Sequence, residues 1–302
     1  MSFVVELPLD QYHRDAFDRF ASTPDFDIGT ARAAAWLARL AYESDAAKIA
    51  TILDAWGLAL RKTIASAAAA RFPIVFTRGL IVDGRDASFV VFAGTDPLVI
   101  ANWVTDFNTR MSSTDLHRGF DAALESVWPQ VAQAIGAARD RPLFILGHSL
   151  GGALAVLCAD RAARELNAVA RGVYTFGMPR AGGAAFATRY ALADTTYRLL
   201  HGDDIVPSVP PSELGFRHVG RLIRAPRGGV FDGAALSPAG GDEPPFVASL
   251  VAGLKAALPD IGRGWPQPAA RPDALGWAAR FLPPRIGDHL PDRYCGAFKR
   301  TA

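Results

Sequence analysis

The sequence has 302 residues, of which half are apolar and 21% are charged, with a formal net charge of +2. This composition is typical of a packed globular protein and excludes a disordered or fibrous chain. Basic residues are scattered among 30 acidic ones without long runs, so we expect no nucleic-acid partner. Cys158 and Cys295 are too few for a disulfide framework and lie in no Cys/His cluster, so no metal site is expected.

The amino-terminal residues do not resemble a secretory leader. Glu6 and Asp10 lie where a signal peptide needs a basic segment followed by an unbroken apolar one. The apolar stretches of the chain are all shorter than the roughly 18 residues that span a bilayer. We therefore expect a cytoplasmic protein, with export by a leaderless route, or loss of a leader from the chain, as the alternatives.

Two apolar stripes at helical spacing follow Thr30, which can cap the first of two helices. The stripes consist of Trp36, Leu37, Leu40 and Ala41, and then of Ile49, Ile52, Leu53 and Trp56. Residues 1–70 are therefore predicted to be a mainly helical part.

Short apolar runs then predict strands at 74–77, 89–92, 143–146, 173–176 and 197–200. The first two flank a turn at 82–86, whose Asp83-Gly84 step suits a hairpin. Ala-rich helical stretches separate the later strands, as in βαβ units. The pattern predicts an α/β fold with a mostly parallel central sheet flanked by helices, in one domain spanning 1–302.

Residues 225–284 break this alternation because they are rich in Pro and Gly. We interpret them as a carboxyl-terminal insertion rather than a domain. An apolar stripe within residues 246–258 predicts a packing helix, and the alternative is a helix that faces the substrate or touches a membrane.

A Gly-x-Ser-x-Gly motif, Gly147 to Gly151, directly follows the strand at 143–146 and opens a helical run. This context predicts a sharp strand-to-helix turn that projects the Ser149 hydroxyl from the carboxyl edge of the sheet. The amino end of the following helix would direct free N–H groups at developing negative charge. Ser149 is thus the candidate nucleophile of a hydrolase.

A serine nucleophile needs a base and an acid that orients the base. In α/β-hydrolases the chain order is Ser, then Asp or Glu, then His. Asp203 and Asp204 directly follow the strand at 197–200, and only His218 and His289 come later. From these residues alone, the acid is one of the two aspartates and the base is one of the two histidines.

Seven ordered motifs resemble those of the class 3 lipases, the fungal-type triacylglycerol lipases and their bacterial relatives. They are Phe92–Thr95, Asn102-Trp103, His117–Phe120, Gly147–Gly152, Phe176–Arg180, Asp204–Pro211 and Asp288–Leu290. The resemblance covers roughly residues 30–223 and 286–298, and it implies an α/β-hydrolase fold.

The resemblance implies Ser149 as nucleophile, Asp204 as acid and His289 as base, with His218 as the alternative base. His117 and His148 are predicted to be packed or hydrogen-bonded structural histidines. The backbone N–H of the residue after the nucleophile, Leu150, is the expected first oxyanion donor.

The resemblance further implies Thr95 as the second oxyanion donor, through its backbone N–H and hydroxyl; its alternative role is to cap the next helix. It also implies a lid at 96–110, and the apolar residues predicted to contact substrate there are Leu98, Val99, Trp103 and Phe107. The alternative is a surface helix packed permanently on the core.

The expected activity is hydrolysis of carboxylic esters through an acyl-enzyme, as in a triacylglycerol lipase, with no cofactor or metal. A phospholipase A1 or a short-chain carboxylesterase would use the same residues. A catalytically silent module that binds acyl ligands or a protein is the alternative from another class. The expected partners are a lipid or small ester and, transiently, a lipid interface.

Overall fold

The computed structural model describes residues 6–66, 77–95, 111–138, 140–233, 236–237 and 284–299. Its helices are Ile28–Leu40 (α1), Ala46–Ala55 (α2), Arg118–Glu125 (α3), Trp128–Ala137 (α4), Leu150–Leu166 (α5), Ala184–Arg189 (α6), Pro284–Gly287 (α7) and Pro291–Gly296 (α8). Its strands are Ala59–Ala65 (β1), Arg78–Asp83 (β2), Ser88–Phe92 (β3), Leu143–His148 (β4), Gly172–Phe176 (β5), Gly182–Gly183 (β6), Thr196–His201 (β7), Phe216–Arg217 (β8) and Arg221–Ala225 (β9). Short 3-10 turns lie at Leu9–Gln11, Ala193–Thr195, Val206–Ser208 and Ser212–Leu214.

Seven strands form one sheet in the order β1-β2-β3-β4-β5-β7-β9. The first three pair antiparallel, and β3, β4, β5, β7 and β9 are parallel. The mostly parallel sheet predicted from the sequence is confirmed. Because the carboxyl ends of parallel strands meet at one edge, the loops after β3, β4, β5 and β7 all open on the same side.

Helices cover both faces of the sheet, and the side chains of β4 point alternately into the two layers between sheet and helices. Ile145 belongs to the core layer that contains α3, α4 and α5. Phe144 and Leu146 belong to the opposite layer, which contains α1, α2 and α8. Successive strand side chains point to opposite faces, so a strand buried on both sides is apolar on both, as residues 143–146 of β4 are.

Two predictions about the amino-terminal part are wrong. Asp27, not Thr30, caps α1, because its carboxylate accepts the Thr30 N–H at 2.6 Å. Residues 59–65 form an edge strand rather than helix, and only Ile64 of β1 is buried. An edge strand held by backbone pairing on one side needs little apolar alternation, which is why its sequence gives a weak strand signal.

Several predicted features lie outside the described residues. They are the strand start at 74–76, the lid at 96–110 and the helix at 246–258, together with most of the insertion at 225–284. The single-domain organisation of the whole chain stays a prediction. Within the described part of the chain, no helix is both long and apolar enough to cross a membrane.

Candidate active site

Ser149 occupies a sharp turn between β4 and α5, with φ +58° and ψ −129°. A non-glycine residue at such a φ is strained, and strain of this kind collects at functional sites. A Cβ on Gly147 would collide with the Gly151 carbonyl, and one on Gly151 would collide with the Phe92 carbonyl. The two glycines of the motif therefore let the strand and helix approach closely enough to form the turn.

The surroundings of Ser149 place it at the carboxyl edge of the sheet. Its backbone N–H donates to the carbonyl of Phe176, the last residue of β5, at 2.8 Å. A Cβ on Gly94, in the loop after β3, would lie 2.8 Å from the Ser149 Cβ. The Ser149 hydroxyl is buried and has no hydrogen-bond partner among the described residues. The loop after β3 and the end of β5 thus both lie against Ser149.

Asp204 and His289 form a buried pair beside the serine turn. His289 Nδ1 lies 2.8 Å from Asp204 Oδ2, and both side chains are almost fully buried. Because the carboxylate accepts the Nδ1 proton, the neutral ring leaves Nε2 unprotonated, able to accept a proton. His289 Nε2 is itself buried and unpartnered within the described part of the chain. This tautomer is the one that a general base requires.

Two further groups hold the Asp204 carboxylate. The Tyr294 hydroxyl donates to Oδ2 at 2.5 Å, and the Val206 N–H donates to Oδ1 at 2.9 Å. Hydrogen bonds to a charged acceptor are roughly twice as strong as those between neutral groups. The two hydrogen bonds fix the plane of the Asp204 carboxylate and so fix the orientation of His289.

Gly177, directly after β5, makes room for this pair. Its φ is +58°, and a Cβ there would lie 2.6 Å from Asp204 Oδ2 and 2.8 Å from His289 Nδ1. Gly177 follows Phe176, which accepts the Ser149 N–H, so the same short segment contacts the serine and the acid–base pair. The structure therefore brings Ser149, Asp204 and His289 to one place.

His148, next to the serine, uses both ring nitrogens in structural hydrogen bonds. Nδ1 lies 2.6 Å from the Tyr42 hydroxyl, and Nε2 lies 2.7 Å from the His289 carbonyl oxygen. Complete burial, together with the nearby His289 ring, lowers the pKa of His148 well below its ordinary value. A neutral ring satisfies both contacts when Nε2–H donates to the carbonyl and Nδ1 accepts from the tyrosine.

The acid–base pair includes none of the other residues considered, which are His218, His117 and Asp203. His218 is buried with Nε2 2.8 Å from the Pro207 carbonyl, and no contact joins it to Asp204. His117 caps α3 by accepting the Phe120 N–H. Asp203 is mostly exposed, and its carboxylate forms an ion pair with Arg227. Of the alternatives left open by chain order, only Asp204 and His289 are adjacent.

Of the two predicted oxyanion donors, Leu150 directly follows Ser149 in the chain, and Thr95 lies in the loop after β3. Leu150 is the first residue of α5, so its N–H has no acceptor within the helix. Thr95 follows Gly94 in the loop that lies against the serine, and it is partly buried. The predicted lid residues Leu98, Val99, Trp103 and Phe107 lie outside the described residues.

Sequence reasoning missed Tyr42, Gly177 and Tyr294. Gly177 carries a usable signal, because a glycine directly after a buried strand often marks a close backbone approach. Tyr42 lies in the turn after α1 and Tyr294 lies on α8, and for a single aromatic residue an apolar packing role is the ordinary interpretation. Their hydroxyl partners lie 106 and 90 residues away, so only the fold reveals them.

The sheet order and the sharp serine turn are those of an α/β-hydrolase fold. Residues 89–214 match the model of the family described as lipase (class 3). The central segment of the chain is therefore similar to the class 3 lipases.

Individual proteins of known name are also similar to this chain. The secreted mono- and diacylglycerol lipase 1 of Fusarium solani is 39% identical over 132 residues, covering 39% of this chain and 38% of that one. A lipase of Rhizomucor miehei is 36% identical over 152 residues, covering 46% of this chain and 41% of that one. The match thus spans about two fifths of the length of these curated relatives. A crystal structure of the mono- and diacylglycerol lipase of Aspergillus oryzae superposes with a TM-score of 0.60 at 21% identity, over 72% of this chain and 87% of that one, which supports the fold.

Proposed function

We propose that this protein hydrolyses carboxylic esters of acylglycerols through an acyl-enzyme on Ser149. The observation that carries the proposal is the 2.8 Å contact between His289 Nδ1 and Asp204 Oδ2 in a buried site. This contact leaves Nε2 of His289 as the proton acceptor beside a serine in a strained turn. The ring contacts of His148 and His218 described above are instead with the backbone carbonyls of His289 and Pro207 and with the Tyr42 hydroxyl.

In the first step, Ser149 Oγ attacks the ester carbonyl carbon while His289 Nε2 takes the hydroxyl proton. The resulting imidazolium is stabilised by the Asp204 carboxylate, which Tyr294 and the Val206 N–H hold in place. The carbonyl oxygen becomes an oxyanion between the Leu150 N–H and Thr95. His289 then donates its proton to the leaving alcohol, and an acyl-enzyme remains.

In the second step, His289 removes a proton from water, and the hydroxide formed attacks the acyl carbonyl. The same donors stabilise the second oxyanion. Collapse of this intermediate breaks the Ser149 ester bond and returns the proton to Oγ. The products are an alcohol and a carboxylic acid, and the residues named here supply every proton transfer.

Acylglycerols are the proposed substrates because the similar proteins from Fusarium solani and Rhizomucor miehei are named as lipases. Residues 96–110 are proposed to act as the lid, with transient contact between their apolar side chains and a lipid interface. A phospholipase A1 or a short-chain esterase would differ in the chain length and head group accepted, not in the acid–base pair.

Labelling by an active-site-directed fluorophosphonate tests the nucleophile. The native protein should be labelled, and Ser149→Ala should not. Turnover of p-nitrophenyl esters by Ser149→Ala should fall by roughly 10⁴- to 10⁶-fold. An unlabelled native protein would favour the silent binding module, and wild-type turnover by Ser149→Ala would refute the proposal.

A substrate series identifies the ester class. Butyryl to palmitoyl p-nitrophenyl esters, mono-, di- and triacylglycerols and phosphatidylcholine should be compared below and above their solubility limits. His218→Ala is the matched control for His289→Ala, since both remove a buried histidine. We expect only His289→Ala to abolish turnover. A preference for phosphatidylcholine or for soluble short-chain esters would replace the acylglycerol assignment.

A further inference from the structure

An ion pair joins the chain leaving β9 to the residue immediately before His289. Arg227 Nε lies 2.9 Å from Asp288 Oδ2, and Arg227 Nη2 lies 2.6 Å from the same oxygen. Nε also lies 3.2 Å from Oδ1. The Asp288 side chain is only 9% exposed, whereas that of Arg227 is 49% exposed. A surface arginine thus reaches inward to a buried carboxylate.

The same two side chains also contact the residue immediately before Asp204. The Asp203 N–H donates to Asp288 Oδ2 at 2.9 Å, and the Asp203 carboxylate lies 3.4 Å from Arg227 Nη2. Gly202, with φ +58°, passes so close to Asp288 that a Cβ would collide with its carboxylate. The neighbours of the acid and of the base are therefore tied to each other.

We propose that Arg227 and Asp288 are positioning residues that hold the His289 loop against the Asp204 loop. This inference rests on the proposed function, in which those loops carry the base and the acid. Neither Arg227 nor Asp288 contacts the reacting atoms. Their contribution is to keep Nδ1 of His289 at hydrogen-bond distance from Asp204.

The geometry explains why arginine occupies this position. The guanidinium makes three contacts of 3.2 Å or less with one carboxylate, which a single ammonium on a flexible stem cannot reproduce. Partial burial raises the pKa of the Asp288 carboxyl, but the Arg227 and Asp203 hydrogen bonds outweigh it, so this pKa lies below its ordinary value. Asp288 therefore remains charged at neutral pH and keeps its partner.

The test compares Arg227→Gln, Arg227→Lys, Asp288→Asn and the Arg227→Gln/Asp288→Asn double variant. Arg61→Gln is the control, because Arg61 also pairs with an aspartate, Asp83, but at the far edge of the sheet. Three quantities are measured on each protein: kcat and KM for a p-nitrophenyl ester, the thermal midpoint, and the far-downfield proton resonance of His289 Nδ1–H. His289→Gln identifies that resonance by its loss.

We expect Arg227→Gln and Asp288→Asn each to lower kcat by about 10- to 100-fold, with KM changed less than twofold, because small misplacements of a base slow the reaction this much. Arg227→Lys should recover part of the loss. The double variant should be no slower than the slower single one, since both changes break one contact. The resonance should shift or broaden in these variants and stay unchanged in Arg61→Gln.

Three outcomes overturn the inference: unchanged kcat and resonance in folded Arg227→Gln and Asp288→Asn; a lower thermal midpoint with an unchanged resonance; or a slower Arg61→Gln. A native protein that hydrolyses no ester contradicts the proposed function instead. In that case the resonance still decides whether the ion pair positions His289.

Discussion

The carbonyl oxygen of His289 lies 2.7 Å from Nε2 of His148, the residue that precedes Ser149. The two imidazole rings are 4.7 Å apart between centroids. A histidine with no role in proton transfer thus holds the backbone of the proposed base from the nucleophile side. Because that carbonyl can only accept, Nε2 of the neutral His148 ring carries the proton and Nδ1 accepts from the Tyr42 hydroxyl.

Replacing His148 with leucine should reduce both stability and turnover. The His289 carbonyl would lose its His148 partner in a buried place, which costs about 1–3 kcal/mol. Denaturant unfolding and kcat measure the two effects. His117→Leu is the control, because it removes a buried helix cap away from the acid–base pair. It should lose stability and retain kcat; a similar loss of kcat in both variants would contradict the role given to His148.

Gly177→Ala should abolish turnover. The new Cβ would lie 2.6 Å from Asp204 Oδ2 and 2.8 Å from His289 Nδ1, so the pair must separate. Gly57 is a matched control, since it has φ +68° and no atom within 4 Å of an added Cβ. Both variants carry the strain of alanine at positive φ, of order 1–2 kcal/mol. Comparing kcat in Gly177→Ala and Gly57→Ala separates the effect of backbone strain from that of the collision with Asp204 and His289. Equal activities of the two variants would contradict the site described.

Ser149→Gly should be more stable than Ser149→Ala, although neither should hydrolyse esters. Alanine retains the strained φ of +58°, and glycine adopts it freely. Relief of strain of order 1–3 kcal/mol exceeds the added entropy of an unfolded glycine, so we expect a net difference of about 1 kcal/mol. Chemical denaturation of the two variants measures it. A less stable Ser149→Gly would show that the turn stores no strain.

His218 should make stability fall as pH is lowered. Burial, followed by the charges of Arg198 and Arg180, lowers the pKa of His218 well below 6.5. Below about pH 6.5 the unfolded chain binds a proton that the folded chain excludes, so the free energy of unfolding decreases as pH falls. The decrease is about 1.4 kcal/mol per pH unit until the lowered pKa is reached. Unfolding of native protein and His218→Gln between pH 7.5 and 5 measures the slope, which should be shallower in the variant.

Much of the fold follows from local patterns in the sequence. The strands at 143–146, 173–176 and 197–200 are largely apolar because both faces of the sheet are covered, and the structure contains them as β4, β5 and β7. The edge strand β1 was not predicted, because backbone hydrogen bonds hold it in the sheet and only its Ile64 side chain is buried. The cap of α1 was misplaced by three residues since Thr30 and Asp27 are both good capping types.

The sequence predicted those site residues that lie in a recognisable local motif. The glycines around Ser149 and the chain order of acid and base narrowed the candidates, and the resemblance selected Asp204 and His289. Tyr42, Tyr294 and Arg227 act through partners more than 60 residues away in the chain. Such contacts depend on tertiary packing and leave no local pattern.

The backbone at Ser149 also restricts which nucleophile this protein could use. At a φ of +58°, a β-branched side chain would crowd its own peptide groups, so a threonine hydroxyl is excluded even though its chemistry resembles that of serine. An unbranched cysteine fits the same turn and would find the same imidazole beside it. A single substitution, Ser149→Cys, would therefore replace the oxygen nucleophile with a sulfur nucleophile. Ser149→Thr would first require a different turn.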